Sequence, residues 1–256
     1  MENRIVTHSC SKIREVARAA LAGHWKQVAL FMFLYYILTS GVDMVLDLFF
    51  TATQSVDIPI EGTTEVTTMT ANVTYGSTIY EFIIGGPVAW GLSKYMLDFF
   101  RTRKSDYTTL LEGFSCFSRA FVLAVLIAVK TMLWSLLFVI PGLIASFRYS
   151  QAFYIMIDHP EYTPGQCIRE SCRMMNGNKA KLFHLQLSFI GWIILSSLPA
   201  AFYNAPLDTA AGILITMIMM IPAAFVDAYM NVALTVFYEL AADNLVIMET
   251  GTLPEE

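Results

Sequence analysis

The sequence predicts an all-α protein, a polytopic bundle of about six transmembrane helices with two amphipathic helices on the cytoplasmic side. Apolar residues make up 56% of the chain and charged residues 14%, whereas soluble domains carry about 25% charged residues. The mean hydropathy is +0.56. Linkers rich in lysine and arginine also alternate with linkers that contain neither, as in polytopic membrane proteins. The composition argues against a soluble globule, and it indicates no nucleic-acid partner.

Length sets the number of crossings. One helical crossing needs about 20 apolar residues, so the 256 residues form a single integral membrane domain with little chain left for a soluble one. The apolar segments predict spans near 27–50, 79–100, 120–140, 142–158, 182–203 and 212–239.

Residues 11–23 have the periodicity of an amphipathic helix. Its apolar face consists of Ile13, Val16, Ala17, Ala20 and Leu21. Ser9 and Ser11 are candidate caps. Two interpretations remain open. The helix lies on the inner leaflet with its basic residues near anionic headgroups, or it is a cytoplasmic lead-in to the first span.

Basic residues follow the distribution that the positive-inside rule requires of a cytoplasmic N-terminus. Lysine and arginine number five before the first span, four in 101–119 and four in 159–181, but none in 51–78 or 204–210. The Thr-rich loop 51–78 is therefore predicted to be extracellular. The linker 159–181, with a second amphipathic helix at 165–175, is predicted to be cytoplasmic.

The apolar stretch 120–157 is too long for one crossing. We interpret Pro141 and Gly142 as a tight outer turn that divides it. The fourth span then has 17 residues, or about 25 Å of helix. Local thinning of the bilayer and a partly re-entrant path both remain open. The count of six places the acidic, flexible tail 241–256 in the cytoplasm.

Charged residues within the spans are the candidate polar or ion-pair residues. Each costs about 2.5 to 3.5 kcal/mol in a bilayer, so it normally has a partner inside the bundle. Predicted depths suggest that Lys130 pairs with Asp227, and that Arg148 pairs with Asp43 or Asp47. Buried ion pairs that fix helix register are favoured over a polar pathway or a binding cavity.

Other residues in the spans predict packing rather than chemistry. The segment Gly85–Pro87 predicts a loosened or kinked second span. Lys94 and Asp98 are one turn apart near the interface, where both can reach polar surroundings. A face of small residues predicts the close approach of a neighbouring helix. It consists of Ala120, Ala124 and Ala128.

No catalytic, metal or cofactor signature is present. The sequence lacks the HExxH, GxSxG, GxxxxGK[ST] and GxGxxG patterns, and its histidines are scattered. The cysteines fall in segments predicted to be cytoplasmic, where thiols stay reduced. We therefore expect no enzyme activity, no cofactor, no metal and no disulfide. Residues 1–26 lack the apolar run of a cleavable signal peptide.

Residues 133–195 resemble a widespread family of bacterial integral membrane proteins, common in Firmicutes and catalogued as domain of unknown function 975. The similar pieces are the IPG turn at 140–142, the RYSQAFYI run, KLF, LSFIGW and an ES-x-x-MM-x-G pattern starting at Glu170. The N-terminal SKIREVARAALAGHW is similar to the opening helix of that family. The resemblance covers about residues 9–240 and implies a multi-pass protein of a bacterial plasma membrane. It implies no reaction, cofactor or catalytic residue.

Three functions are compatible with these features. The leading one is a non-catalytic scaffold or accessory component of the membrane, with helices 11–23 and 165–175 as docking surfaces for other membrane or envelope proteins. The alternative is a small-solute transporter or channel with a polar pathway that includes Lys130, Arg148 and Asp227. A membrane enzyme acting on lipids has the least support.

Overall fold

The computed structural model describes residues 4–59, 66–104, 106–202 and 210–245, and most of these residues are helical. The predicted helical class is therefore confirmed. The predictions for residues 204–209 and for the tail beyond residue 245 fall outside the described ranges. The elements are α1 (Cys10–Leu21), α2 (Trp25–Tyr36), a π-helical turn (Ile37–Gly41), α3 (Val42–Phe50), β1 (Thr51–Pro59), β2 (Val66–Thr74), α4 (Tyr75–Thr102), α5 (Thr109–Glu112), α6 (Phe117–Leu137), α7 (Val139–Tyr149), α8 (Ala152–Asp158), α9 (Pro164–Met174), α10 (Lys179–Leu187), α11 (Ile190–Phe202), α12 (Ala210–Met219) and α13 (Ile221–Ala241).

Within the described ranges, four helical stretches are long and apolar enough to cross a membrane. They are Trp25–Asp47, Phe117–Leu137, Lys179–Pro199 and Ile221–Ala241. These stretches fit a membrane protein. The predicted spans 79–100 and 142–158 correspond to other helices. The first is α4, which has 28 residues but carries four charged side chains. The second is α7 followed by α8, of 11 and 7 residues.

The chain reverses between α6 and α7 at Phe138, whose backbone is extended with φ −163° and ψ 154°. The predicted turn at Pro141 and Gly142 is therefore wrong. Pro141 instead lies in the first turn of α7, where a missing N–H removes no helical hydrogen bond. Gly142 packs on α6, because a Cβ there would lie 2.8 Å from the Cα of Ser135. The glycine permits close packing beside the turn rather than forming it.

Helix α1 has the predicted apolar face, and Ile13, Val16, Ala17, Ala20 and Leu21 are all buried. The Oγ of Ser9 caps the helix by accepting a hydrogen bond from the N–H of Lys12 at 3.2 Å. The buried face packs against α13 and α10. The apolar side chains therefore contact protein, whereas the leaflet interpretation places them in lipid. Periodicity identifies the buried face but not the surface that covers it.

Helix α9 confirms the amphipathic helix predicted at 165–175. Thr163 and Gln166 form a capping box at its start, and Pro164 occupies the first turn. These residues satisfy N–H groups that a helix N-terminus leaves without partners. The buried face of α9 packs against α6, α7 and α8.

The Thr-rich segment departs from the predicted loop. The backbone of β1 pairs antiparallel with that of β2, from Thr51 opposite Thr74 to Pro59 opposite Val66. The many threonines and valines here favour an extended backbone. Because β1 follows α3 directly and β2 leads directly into α4, the strands mark one end of the bundle, the hairpin end. We call the other end, where α4, α8 and α13 finish, the basic end.

Helix α13 lies at the centre of the bundle and packs against α1, α2, α4 and α11. Helix α4 in turn packs closely on α6. A Cβ on Gly86 would lie 2.7 Å from the carbonyl oxygen of Ala120 and 3.0 Å from the Cβ of Ala124. This contact confirms the predicted close approach at Ala120 and Ala124, whereas Ala128, the third residue of the predicted face, is exposed. Helix α4 continues through the Gly85–Pro87 segment, and Gly86 allows the neighbouring backbone to approach.

Candidate functional site

The most extensively bonded charge in the described structure is Arg101, in the last turn of α4. Its Nη1 and Nη2 donate to the two carboxylate oxygens of Asp158 at 2.7 and 2.8 Å. Its Nε donates to Oε1 of Glu239 at 2.7 Å. The Glu239 side chain is only 4% exposed and that of Arg101 is 36% exposed. Arg101 therefore connects the ends of α4, α8 and α13.

Two tyrosines complete this cluster. The hydroxyl of Tyr238 donates to Oδ2 of Asp158 at 2.8 Å. The ring of Tyr154 stacks on that of Tyr238 with centroids 4.9 Å apart, and its hydroxyl is hydrogen-bonded to Thr235 at 3.2 Å. Each carboxylate thus has a donor, as buried charges require. We call Arg101, Asp158 and Glu239, with these two tyrosines, the Arg101 cluster.

All three guanidinium nitrogens of Arg101 donate to carboxylates of the chain. A bidentate arginine–carboxylate pair is both strong and geometrically specific. The pair of Nη donors that would bind an external phosphate or carboxylate is therefore already occupied by Asp158. The arrangement therefore sets the relative height of three helices.

A second polar cluster lies around the π-helical turn between α2 and α3. The hydroxyl of Tyr36 donates to Oδ2 of Asp227 on α13. The hydroxyl of Tyr80 donates to the carbonyl of Leu38 at 2.6 Å. A π-helical turn disturbs the regular backbone bonding of a helix, and Tyr80 supplies a donor to one of its carbonyls. These contacts join α2 to α13 and the turn to α4.

The predicted site residues Asp43 and Asp47 both lie in α3. The Asp43 carboxyl is hydrogen-bonded to Glu81 on α4. Glu81 lies within the predicted second span but was not among the predicted site residues. We call Asp43, Glu81 and Asp227, with Tyr36 and Tyr80, the π-turn cluster.

The structure does not bring Lys130 and Asp227 together, so the predicted pair is wrong. Lys130 is exposed on α6. No carboxylate of the described residues lies within ion-pair distance of it. Helix α6 packs on α4, α7 and α9, whereas Asp227 is bonded to α2. Depth in the bilayer is therefore a poor guide to pairing, because it ignores which way a helix faces.

The predicted pairing of Arg148 with Asp43 or Asp47 is also wrong. Arg148 lies in the last turn of α7, and its carbonyl accepts a hydrogen bond from the Oγ of Ser171 on α9 at 2.8 Å. Helix α7 packs against α6, α9 and α10, whereas α3 packs against α4. Because the chain reverses at Phe138 rather than at Pro141, Arg148 lies further from the turn, and therefore nearer the basic end, than predicted.

Lys94 and Asp98, one turn apart near the predicted interface, form an ion pair. The Nζ of Lys94 lies 2.8 Å from Oδ2 of Asp98 and 3.9 Å from a carboxylate oxygen of Glu112. Both side chains of the first pair are partly exposed, and such pairs contribute little to stability.

The Arg101 cluster could not be predicted from the sequence pattern, because each of its charges sits at the end of a helix. Arg101 belongs to the basic RTRK run, Asp158 precedes His159 and Pro160, and Glu239 closes the last span. A charge in such a position is usually hydrated. The available signal was Glu239, an acid inside the apolar run VFYEL.

The described residues contain no group of three or more His, Cys, Asp or Glu side chains arranged to hold a metal ion. All four cysteines are free thiols. Burial raises the pKa of the Cys167 thiol on α9, although the nearby Arg119 acts in the opposite direction. A thiol of this kind is a weak nucleophile at neutral pH.

Comparison with known proteins places the chain in a family. It matches the family described as "Protein of unknown function (DUF975)" over residues 7–145 and 135–244. No curated protein and no solved structure matches it. The matched residues run from before α1 to beyond the end of α13 and include both polar clusters. The chain therefore belongs to the DUF975 family.

Proposed function

We propose that this chain is a six-crossing protein of a bacterial plasma membrane that acts as a non-catalytic scaffold or accessory component. In this proposal the basic end and both termini face the cytoplasm. The observation that carries the scaffold assignment is that three charged groups of the bundle, Arg101, Asp227 and Asp43, are occupied in contacts between helices. Arg101 joins three helices, Asp227 joins α13 to α2, and Asp43 joins α3 to α4.

Two observations support six crossings. The Arg101 cluster holds the ends of α4, α8 and α13 at one level, as expected if α4 and the α7–α8 segment also cross. Arg4 forms an ion pair with Asp243, so the start of the chain and the end of α13 lie on the same side. The basic residues of the linkers favour the cytoplasm for that side.

Helix α9 is the proposed docking surface. One face is buried against α6, α7 and α8, and the opposite face presents exposed Arg169 and Arg173. Arg173 has only a loose ion pair with Glu170 at 3.8 Å. A rigid helix with exposed arginines suits an acidic surface on another membrane or envelope protein, because arginine is enriched in protein interfaces.

We expect a photo-crosslinking residue at Arg173 to form a discrete adduct with one partner protein in living cells. The matched control is Leu136 on α6, which is 82% exposed and apolar and is expected to give no protein adduct because it faces lipid. Adducts at Leu136 but not at Arg173, or none at either position, would count against docking through α9.

A transporter or channel is the second candidate, and the π-turn cluster favours it. Asp43 and Glu81 are hydrogen-bonded to each other there, and Asp227 is bonded to Tyr36 at the start of the π-helical turn. Such turns are frequent at functional sites. No Lys or Arg of the described residues forms an ion pair with these three acids. An acidic intramembrane cluster of this kind is typical of a proton or cation pathway.

Flux through liposomes separates the two candidates. The scaffold proposal predicts that liposomes containing the purified protein conduct protons, Na⁺ and K⁺ no faster than empty liposomes. Protein-dependent flux that Asp227→Asn abolishes, and that the exposed control Asp106→Asn leaves intact, would establish the transporter instead.

A further inference from the structure

A cavity of about 460 Å³ lies between α1 and the membrane-spanning helices α2, α11 and α13. This volume is within the usual range for small-ligand sites, about 300 to 1,000 Å³. Its wall combines two cations with four aromatic rings. They are Arg14, Arg18, Trp25, Trp192, Phe225 and Tyr229.

The two arginines have no anionic partner within the described structure. The neighbouring acid, Glu15, is paired with Lys12 at 3.3 Å. Arg14 donates only a long hydrogen bond, 3.5 Å, to the carbonyl of Ser188, and its Nε is buried without a partner. Arg18 lies near the hydroxyl of Tyr229. Two like charges one helical turn apart repel each other, so an anion bridging them would be stabilised.

Packing fixes the helix that carries both arginines. The opposite face of α1 is buried in the bundle, and Tyr229 donates a hydrogen bond to the carbonyl of Arg14 at 3.2 Å. The Trp25 ring meets that of Tyr229 edge-on with centroids 5.9 Å apart. The backbone of α1 and these two rings are therefore in place before a ligand binds, which favours affinity.

The cavity also has an apolar side. Trp192 is 56% exposed and Phe225 is 39% exposed, and both lie on helices that are long and apolar enough to cross a membrane. Tryptophan and tyrosine are enriched where hydrocarbon meets headgroups. A ligand bound here would place its anion at the arginines and its apolar part against these rings.

We propose that this cavity binds an anionic phospholipid, with the phosphodiester held by Arg14 and Arg18 and an acyl chain lying against Trp192 and Phe225. Basic pockets beside membrane helices on the cytoplasmic side suit anionic headgroups. A soluble phosphate satisfies the same arginines but leaves the apolar wall unoccupied. The site goes beyond the proposed function and is independent of whether the protein is a scaffold or a transporter.

Native mass spectrometry of the full chain, purified from mixed phosphatidylcholine and phosphatidylglycerol, tests the proposal. We expect wild type to retain phosphatidylglycerol in preference to phosphatidylcholine. The double substitution Arg14→Gln and Arg18→Gln is expected to weaken this retention about tenfold, because charge-assisted hydrogen bonds are lost. The matched control, Arg169→Gln with Arg173→Gln on α9, is expected to bind as wild type does. Equal retention by the first double variant and wild type would overturn the site.

Glycerol phosphate identifies the source of the anion. The proposal predicts that it does not displace phosphatidylglycerol, because it lacks the apolar part. Displacement that depends on Arg14 and Arg18 would assign the cavity to a soluble phosphate compound and overturn the lipid proposal.

Tryptophan fluorescence provides a test that leaves both arginines in place. When Trp90 and Trp134 are replaced by phenylalanine, Trp25 and Trp192 are the remaining tryptophans, and both lie in the wall of the cavity. Brominated phosphatidylglycerol is expected to quench them more strongly than brominated phosphatidylcholine. Equal quenching by the two lipids would contradict selective binding.

Discussion

Replacing Arg101 by alanine is expected to lower the free energy of unfolding by about 2 to 4 kcal/mol. Removing one partner of a buried ion pair costs about 3 to 5 kcal/mol, because the remaining charge is left uncompensated, and the partial exposure of Arg101 reduces that cost. Glu239 would be the uncompensated charge, since its side chain is 4% exposed. Reversible unfolding in mixed micelles measures the difference.

Two further variants separate charge from geometry at this position. Arg101→Lys is expected to recover only part of the stability, because an ammonium group does not form the bidentate bond to Asp158. Glu239→Gln added to Arg101→Ala is expected to restore stability relative to Arg101→Ala alone, since it removes the buried charge. The control Arg169→Ala, at an exposed position of α9, is expected to change stability by less than about 0.5 kcal/mol. An Arg101→Ala effect no larger than this control would show that the cluster does not hold the helices together.

The second large effect is expected at Gly91, in the middle of α4. A Cβ at this position would meet the carbonyl oxygen of Leu110 and would lie 2.9 Å from the carbonyl carbon of the same residue. The clash is with backbone, so no rotation of a side chain relieves it. We expect Gly91→Ala to lower the free energy of unfolding by about 2 to 3 kcal/mol, as overpacking of a close contact does.

The sign of this effect is the informative part. Glycine to alanine inside a helix normally stabilises it by about 1 kcal/mol. The control is Gly85→Ala in the same helix, where a Cβ would meet no atom within 4 Å. We expect the Gly85 variant to be as stable as wild type or more stable. If both variants are stabilised, the contact between α4 and α5 is looser than described.

Features that depend on local periodicity could be predicted from the sequence. The apolar face of α1 and the position of α9 follow from helical spacing, and the cap at Ser9 follows from residue type. The small residues of α6 likewise predicted the contact that Gly86 makes with Ala120. In each case the signal lies within a few residues of the feature.

Features that depend on the facing of distant helices could not be predicted. The depths of Lys130 and Asp227 match, but their helices face different neighbours. In the sequence, Arg101 has the position of a hydrated charge at a helix end. It gains its partners Asp158 and Glu239 only because the C-terminal ends of α8 and α13 lie next to that of α4. The turn at Phe138 contains no proline or glycine. The turn was predicted three residues later because Pro141 and Gly142 are residues typical of turns.

The central claim, six crossings with the basic end in the cytoplasm, is tested most directly by cysteine labelling in intact cells. Single cysteines replace Thr68 in β2, Thr108 before α5 and Glu161 before α9, in a chain whose four native cysteines are substituted. A membrane-impermeant maleimide is expected to label Thr68→Cys in intact cells, and the other two only after permeabilisation. Labelling of Glu161→Cys in intact cells, with Thr108→Cys still protected, would contradict a full crossing by α7 and α8.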